Sequence, residues 1–239
     1  MNNNLQKEMF LMTLIHDLKN PLLAQISALS QLSNGIYGEL KESQKEIIEM
    51  TLNSCNYMQK LLFNLLETYK YENGHIKLEK KYFNPENFVK TCITEQYSLI
   101  KEKQLDIIFK STLREEENII YADELQLRRV VENILSNQIF YAFKNTKIRI
   151  NLFKKTNKII FSFENSSPEI ESDAKSEIFE KFKTTNISKQ NFSAGLGLYL
   201  SKQIIEAHSG KIYLDAQKNI NKFIFNIPQN NKEKTQVVW

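Results

Sequence analysis

The sequence predicts an α+β protein in two parts. The first is an N-terminal helical hairpin that pairs with a second copy as a four-helix bundle; the second is an α/β sandwich with helices on one side of a largely antiparallel sheet. Three observations predict this. Apolar residues recur at spacings of three and four from Leu11 to Tyr69, the period of amphipathic helices, with one glycine-bearing interruption. From Ile76 onward the period shifts to short alternating runs and shorter helical stretches. Between the two, Tyr71-Glu72-Asn73-Gly74-His75 carries a glycine stop signal and sets a boundary, giving domains 1–75 and 76–239.

Composition narrows the function classes. The 239 residues are 41% hydrophobic and 25% charged, enough to bury a core and too apolar for a disordered chain. The formal charge of +4 is small, and basic residues are interspersed with acids, so no nucleic-acid footprint is present. Cys55 and Cys92 lie in helical patterns without metal-ligand spacing and read as buried thiols in a reducing compartment. No apolar run reaches the length of a transmembrane span, and Met1-Asn2-Asn3-Asn4 opens no secretory leader, so a cytoplasmic location is expected. If the chain is complete, its signal arrives through a partner or the first few residues; if it is a piece, an input module precedes it.

In the first helix, Leu11, Ile15, Leu18, Leu22, Ile26, Leu29 and Leu32 form the inward stripe. Asn34-Gly35-Ile36-Tyr37-Gly38 is a turn signal. The second helix carries two adjacent rows: Ile48, Leu52, Cys55, Gln59, Leu62, Leu66, Tyr69, and Ile47, Thr51, Ser54, Met58, Leu61, Leu65. Together they are wider than a two-helix seam needs, which predicts the homodimer, the alternative being that the hairpin packs on the C-terminal domain.

The second part reads in order. Ile76–Glu79 alternates as a strand, and Pro85 starts a helix running to about Lys103 with Phe88, Cys92, Ile93, Tyr97 and Ile100 inward. Strands follow at 105–109 and 119–121. Asp123 caps a helix to about Phe140 that carries Leu127, Val130, Val131, Ile134 and Leu135. Strands at 147–153 and 158–164 flank Lys155-Thr156-Asn157. A helix at 196–209 and a strand pair, 211–215 and 222–227, turning over Lys218-Asn219, complete it. Residues after Pro228 are polar and read as frayed.

The chemistry-bearing stretch is Leu14-Ile15-His16-Asp17-Leu18-Lys19-Asn20-Pro21-Leu22. Pro21 deprives the Asp17 carbonyl of its helical donor, which predicts a kinked or loosened turn after His16. Asn20 lies one turn beyond His16 on the same face, while Asp17 projects roughly 100° round the helix. An exposed imidazole beside a carboxylate serves as a nucleophile whose neighbour orients it or takes its proton. Further on, Asn133 and Asn137 lie four apart on one helix face, where their carboxamides suit a hard cation and the phosphates around it. Gly195-Leu196-Gly197-Leu198 stands at a helix start, where backbone N–H groups meet phosphate.

His16-Asp17-Leu18-Lys19-Asn20-Pro21-Leu22 resembles the H-box of the sensor histidine kinases of two-component systems. Asp123, Leu127, Asn133, Leu135, Asn137 and Tyr141 resemble that family's N-box, and Ile178–Phe182 is similar to its F-box, whose rings are expected in the core. Ser193–Leu200 is similar to its second glycine box, and Ile204–Gly210, including a structural His208, to the run that follows it. The resemblance implies a HisKA-type phosphotransfer hairpin and an ATP-binding domain. By that resemblance His16 takes the γ-phosphoryl group of ATP, Asp17 is the general base, and Asn20 positions the water that dephosphorylates the partner, a response regulator receiver domain. Asn137 would ligate Mg²⁺, Tyr141 would pack by the adenine, and Gly195, Leu196, Gly197 and Leu198 would line the phosphates.

This sequence departs from the family in places. The first glycine box is replaced by Asn165-Ser166-Ser167-Pro168-Glu169-Ile170. Asn165 stands where an aspartate would accept a hydrogen bond from the adenine amine, with Ile170 closing the motif. Ser167 and Glu169 replace its glycines, and any φ > 0 there would cost about 1 kcal/mol or more per residue. Phe140 stands in place of a phosphate-contacting lysine, Gln138 in place of a small alanine and Ser193 in place of a glycine. The expected function is ATP-dependent autophosphorylation of His16 and phosphotransfer to a regulator aspartate. The alternative is a pseudokinase with a degenerate ATP domain, acting as a scaffold or regulator phosphatase.

Overall fold

A computed structural model describes residues 2–72, 77–183 and 195–229, with side chains from residue 12 onward except at 172, 173 and 176. The chain divides into two compact units, Met1–Gly74 and His75–Trp239.

The first unit is a hairpin of two long helices, α1 (Asn2–Ser33) and α2 (Glu42–Glu72). The turn follows from its glycines. Gly35, at φ +73, receives the chain in the left-handed region; its N–H reaches the Leu32 carbonyl and that of Ile36 the Gln31 carbonyl. This double bond pattern caps the end of α1. Lys41 begins α2 with its N–H on the Gln44 side chain. Ile15, Leu22 and Cys55 are buried where the helices meet, and Ile48, Leu52, Leu62 and Leu66 are half-buried with them. The second row predicted on α2 points elsewhere: Ile47, Thr51, Ser54 and Met58 are exposed within one chain. Leu18, expected in the inward stripe, is 46% exposed. Helix α1 runs unbroken through Pro21.

The second unit is built on a five-stranded sheet. In chain order the elements are β1 (Lys81–Phe83), α3 (Pro85–Glu95), α4 (Tyr97–Glu102), β2 (Asp106–Ser111), β3 (Ile120–Ala122), α5 (Glu124–Tyr141), β4 (Lys147–Lys155), β5 (Lys158–Ser166), α6 (Ser172–Glu177), α7 (Gly197–Ala207), β6 (Lys211–Gln217) and β7 (Ile220–Pro228). The sheet order is β2-β4-β5-β7-β6, with β2 parallel to β4 and the other pairs antiparallel. Burial alternates on β4, where Ile148, Ile150 and Leu152 are inward, as a half-covered strand requires. Phe161 of β5 stacks on Phe225 of β7 at 4.5 Å between centroids. Helix α5 packs on β5 and on α7, which in turn lies on β6 and β7.

Four local readings change. The helix expected from Pro85 to Lys103 is two helices, because at Gln96 (φ −95°, ψ 5°) the N–H turns back to the Ile93 and Thr94 carbonyls. Thr91 and Thr94 also bond carbonyls one turn back, which competes with a straight helix. No strand occupies 77–79, and Ile76 lies outside the described residues; the ladder partner of β3 is β1, with Tyr82 opposite Tyr121. Helix α6 arises in a stretch without apolar period. Gln229, expected to be frayed, is buried, and its Nε2 donates to the Glu117 and Ile119 carbonyls.

Candidate active site

The first group lies on α1. Pro21 and Asn20 are exposed, Ile15 and Leu22 are buried, and His16 stands out between them with its side chain 71% exposed. The Asp17 carboxylate, 67% exposed, lies 3.3 Å from His16 Nδ1. A carboxylate only accepts, so Nδ1 carries the proton and the Nε2 lone pair is left outward. The distance is at the loose end for a hydrogen bond and both groups face water, so the contact orients the ring more than it stabilises the fold. Asn20 follows one turn later on the same face.

The second group lies where α5 meets α7. Asp123 caps α5 by accepting from the Gln126 N–H at 3.1 Å, and its other oxygen takes the Glu79 N–H at 2.9 Å. Its own N–H donates to His208 Nε2 at 2.9 Å, while His208 Nδ1 bonds the Ile204 carbonyl at 2.8 Å. A carbonyl cannot donate, so the proton is on Nδ1 and the ring is neutral; burial pushes its pKa down in the same sense. His208 thus ties the end of α7 to the start of α5.

Asn133 and Gly197 approach closely. Asn133 Nδ2 donates to Ser201 Oγ at 3.0 Å, and Ser201 donates to the Gly197 carbonyl at 2.9 Å. A Cβ at position 197 would run into the Asn133 carboxamide, which would have to shift and leave its bond to Ser201. Gly195 sits at φ +64, and a Cβ there would meet the backbone of Phe182 and Lys183. Among the described residues no side chain caps the N-terminus of α7, where Leu196 is buried and Leu198 half-buried. Asn137 is half-buried one turn after Asn133, and Tyr141 is half-buried with its ring edge-on to Phe140 at 4.9 Å. Lys103 reaches across from the end of α4, its ammonium 2.8 Å from the Phe140 carbonyl and 5.3 Å from the Phe140 ring centroid.

Asn165, only 2% exposed, donates through Nδ2 to the Gln138 carbonyl at 2.8 Å and accepts from Ser167 Oγ at 3.0 Å. Ser167 in turn accepts from Asn221 Nδ2 at 2.6 Å, and Asn221 also donates to the Pro168 carbonyl at 2.9 Å. Neither Ser167 nor Glu169 has a positive φ, so the strain expected of those glycine replacements does not arise. Ile170 is half-buried. Phe179 is core, edge-on to Phe223, but Phe182 is 64% exposed at φ +58, against the expectation that both F-box rings are buried. Ser193 and Ala194 lie outside the described residues.

The structure therefore joins Asn133 to Gly197 and Asn165 to Gln138, and places His16 with Asp17. Gln138 and Ser167 stood out in the sequence only as departures from the family's motifs, and Ser201 and Asn221 not at all. A nucleotide fits what is present. Gln138 Oε1 and Asn221 Oδ1 are buried acceptors without a hydrogen-bond donor, beside an amide that has an acceptor to offer. Among the described residues no three His, Cys, Asp or Glu come together as a metal cluster.

Residues 122–231 match the family model described as histidine kinase-, DNA gyrase B-, and HSP90-like ATPase, and residues 6–74 match that of the His Kinase A (phospho-acceptor) domain. The sensor histidine kinase YvrG of Bacillus subtilis is 28% identical over 220 residues, which is 91% of this chain and 37% of YvrG. The chain spans between 24% and 37% of the length of the first three curated relatives it matches. The catalytic domain of histidine kinase ThkA is 31% identical at a TM-score of 0.57, over 63% of this chain and 96% of that domain. ThkA in complex with response regulator protein TrrA covers 96% of this chain and 66% of that chain, with a TM-score of 0.64 and 24% identity. Full-length ShkA in complex with AMPPNP shares the fold at a TM-score of 0.77 over 92% of this chain and 46% of its own, with 21% identity.

Proposed function

We infer the function of this chain from the fact that it belongs to the two-component histidine kinase family: it transfers the γ-phosphoryl group of ATP to His16 and hands it on to an aspartate of a response regulator receiver domain. The observation that carries this is the exposed His16 with Asp17 on its Nδ1. With the Nδ1 proton held by a carboxylate, Nε2 is the nucleophile. An N–P bond forms at Nε2, the bond from the γ-phosphorus to the ADP oxygen breaks, ADP leaves, and Asp17 takes the Nδ1 proton. Asn20, one turn on, is suited to hold the water for the reverse task of dephosphorylating the regulator.

ATP supplies the phosphoryl group, and Mg²⁺ neutralises the charge that spreads over its oxygens. This chain's part is positioning. The N-terminus of α7, which no side chain among the described residues caps, offers N–H groups to phosphate, and Gly195 and Gly197 permit the close approaches to Lys183 and Asn133 beside it. Asn137 offers Mg²⁺ its carboxamide oxygen. Asn133 braces α5 against α7, with Asn165 and Tyr141 toward the base. Support for ATP comes from the matched ATPase model and from the AMPPNP complex of ShkA; the ThkA–TrrA complex supports the regulator as partner. The scaffold alternative rested on several departures from the family's ATP-site motifs taken together; of these, the backbone strain expected at Ser167 and Glu169 does not arise, and the matched relatives give that alternative no support.

The protein acts as a homodimer, because the row of Ile47, Met50 and Met58 on α2 and Leu14 and Leu18 on α1 is left bare within one hairpin. A cytoplasmic site of action accords with free Cys55 and Cys92 and with described helices of which none is long and apolar enough to cross a membrane. The test is incubation with γ-labelled ATP and Mg²⁺. An acid-labile label is expected on the native chain and none on His16→Gln; label that survives the substitution, or no label on the native chain at millimolar ATP, overturns the assignment.

A further inference from the structure

The direction of every hydrogen bond around Asn165 is fixed by two backbone carbonyls, which can only accept. The Gln138 carbonyl forces Nδ2 of Asn165 to face it, at 2.8 Å. That leaves Oδ1 of Asn165 toward Ser167, whose single hydroxyl proton must then point at Oδ1. With its proton so committed, Ser167 Oγ is an acceptor, and Asn221 Nδ2 fills that role. The Pro168 carbonyl fixes Asn221 in the same orientation independently. Asn165 and Asn221 are directly opposed in the β5–β7 ladder, so the backbone holds both ends of the relay in register.

We propose that Ser167 and Asn221 are positioning residues that lock the Asn165 carboxamide as a neutral acceptor, selecting a nucleotide whose base carries an exocyclic amine over one with a ring carbonyl at that place. The inference rests on the reading above that Asn165 faces the base. An amide oxygen has two lone pairs; Ser167 occupies one, and the second takes the amine N–H. A base with a carbonyl there would set acceptor against acceptor, because the carboxamide nitrogen is held at the Gln138 carbonyl and Oδ1 is the atom left to face the base. The relay also explains why the residue is asparagine. An aspartate would set a second acceptor oxygen against the Gln138 carbonyl, a clash relieved only when the carboxyl is protonated and its O–H donates there.

The experiment is equilibrium binding of ATP, GTP and purine riboside triphosphate, the last without the amine, to the 239-residue chain with Mg²⁺. The native chain is expected to hold ATP about tenfold or more tighter than either of the others, the order of one or two hydrogen bonds. Ser167→Ala is expected to weaken ATP about three- to tenfold and to narrow the ATP-to-GTP ratio, with Ser167→Thr restoring both. Asn165→Asp, which puts back the family's residue, is expected to bind ATP about tenfold more weakly at pH 8 and to recover toward pH 5, while the native chain shows no such recovery. Asn165→Asp binding ATP at pH 8 as tightly as the native chain or tighter overturns the inference, as does a Ser167→Ala ratio unchanged from native. Should a variant fail to fold, equal native affinity for ATP and the amine-free analogue overturns it without any substitution. No ATP binding by the native chain would instead remove the ATP reading itself, and this inference with it.

Discussion

His208 is kept neutral by its surroundings, and that makes stability depend on pH. Burial lowers its pKa below the ordinary 6.5, so below that value the unfolded chain takes a proton that the folded chain refuses. The contribution is therefore full above about pH 6.5 and lost as pH falls. A melting temperature that declines from pH 7 to pH 5 in the native protein, and declines less in His208→Gln, is the expected result. Glu117 titrates lower down: the Arg114 guanidinium, together with the Arg114 N–H, holds its carboxyl at about 2. Its contribution is present above about pH 4.5 and disappears as pH falls toward 2, so Glu117→Gln flattens the acid limb there, measured by circular dichroism. At this scale the sequence was legible where a residue acts on its own helix. His16, Asp17 and the Asp123 cap could be read from spacing. Ser167, Asn221 and Ser201 could not, because each meets its partner across a strand ladder or a helix pair from 54 or 68 residues away.

Among the elements, turns carry the visible strain. The β4–β5 hairpin turns over Thr156-Asn157, with Thr156 at φ +55. A β-branched residue is costly in the left-handed region, whereas asparagine tolerates it. Thr156→Asn is expected to stabilise the second unit by about 0.5–1 kcal/mol, read from denaturant midpoints. Helices and strands with a clean period were legible from the sequence: α1, α2, α5, β4 and β5 fall where 3.6- and 2-residue repeats put them. The break at Gln96 was hidden, because Tyr97 and Ile100 continue the apolar rhythm of α3 across it. Strand β1 was hidden for a different reason. Its three residues gain their identity only from pairing with β3, nearly forty residues on.

At the scale of the whole molecule, the bare row on the hairpin is the feature with the largest expected effect. Replacing Met58 with Glu, or Ile47 with Lys, puts a charge on a surface that pairing would bury, so the variants are expected to elute as monomers where the native chain elutes as a dimer in light scattering. The wide stripe on α2 made this row legible from the sequence, since two adjacent apolar rows need two partners. The order of the sheet was not legible, because alternation marks a strand without saying which strand lies beside it.

That order has a consequence for how the protein is made. The last strand, β7, is not at an edge; it lies between β5 and β6 and pairs with β5 along its length, from Lys158 opposite Pro228 to Ser166 opposite Ile220. A chain emerging from the ribosome therefore carries β5 with one side open until nearly all of the second unit has been synthesised. Asn221, arriving with that strand, is among the final residues to join the site. On the proposed reading, nucleotide recognition is thus completed only when the second unit is nearly whole, well after His16, the proposed phosphate acceptor, has left the tunnel.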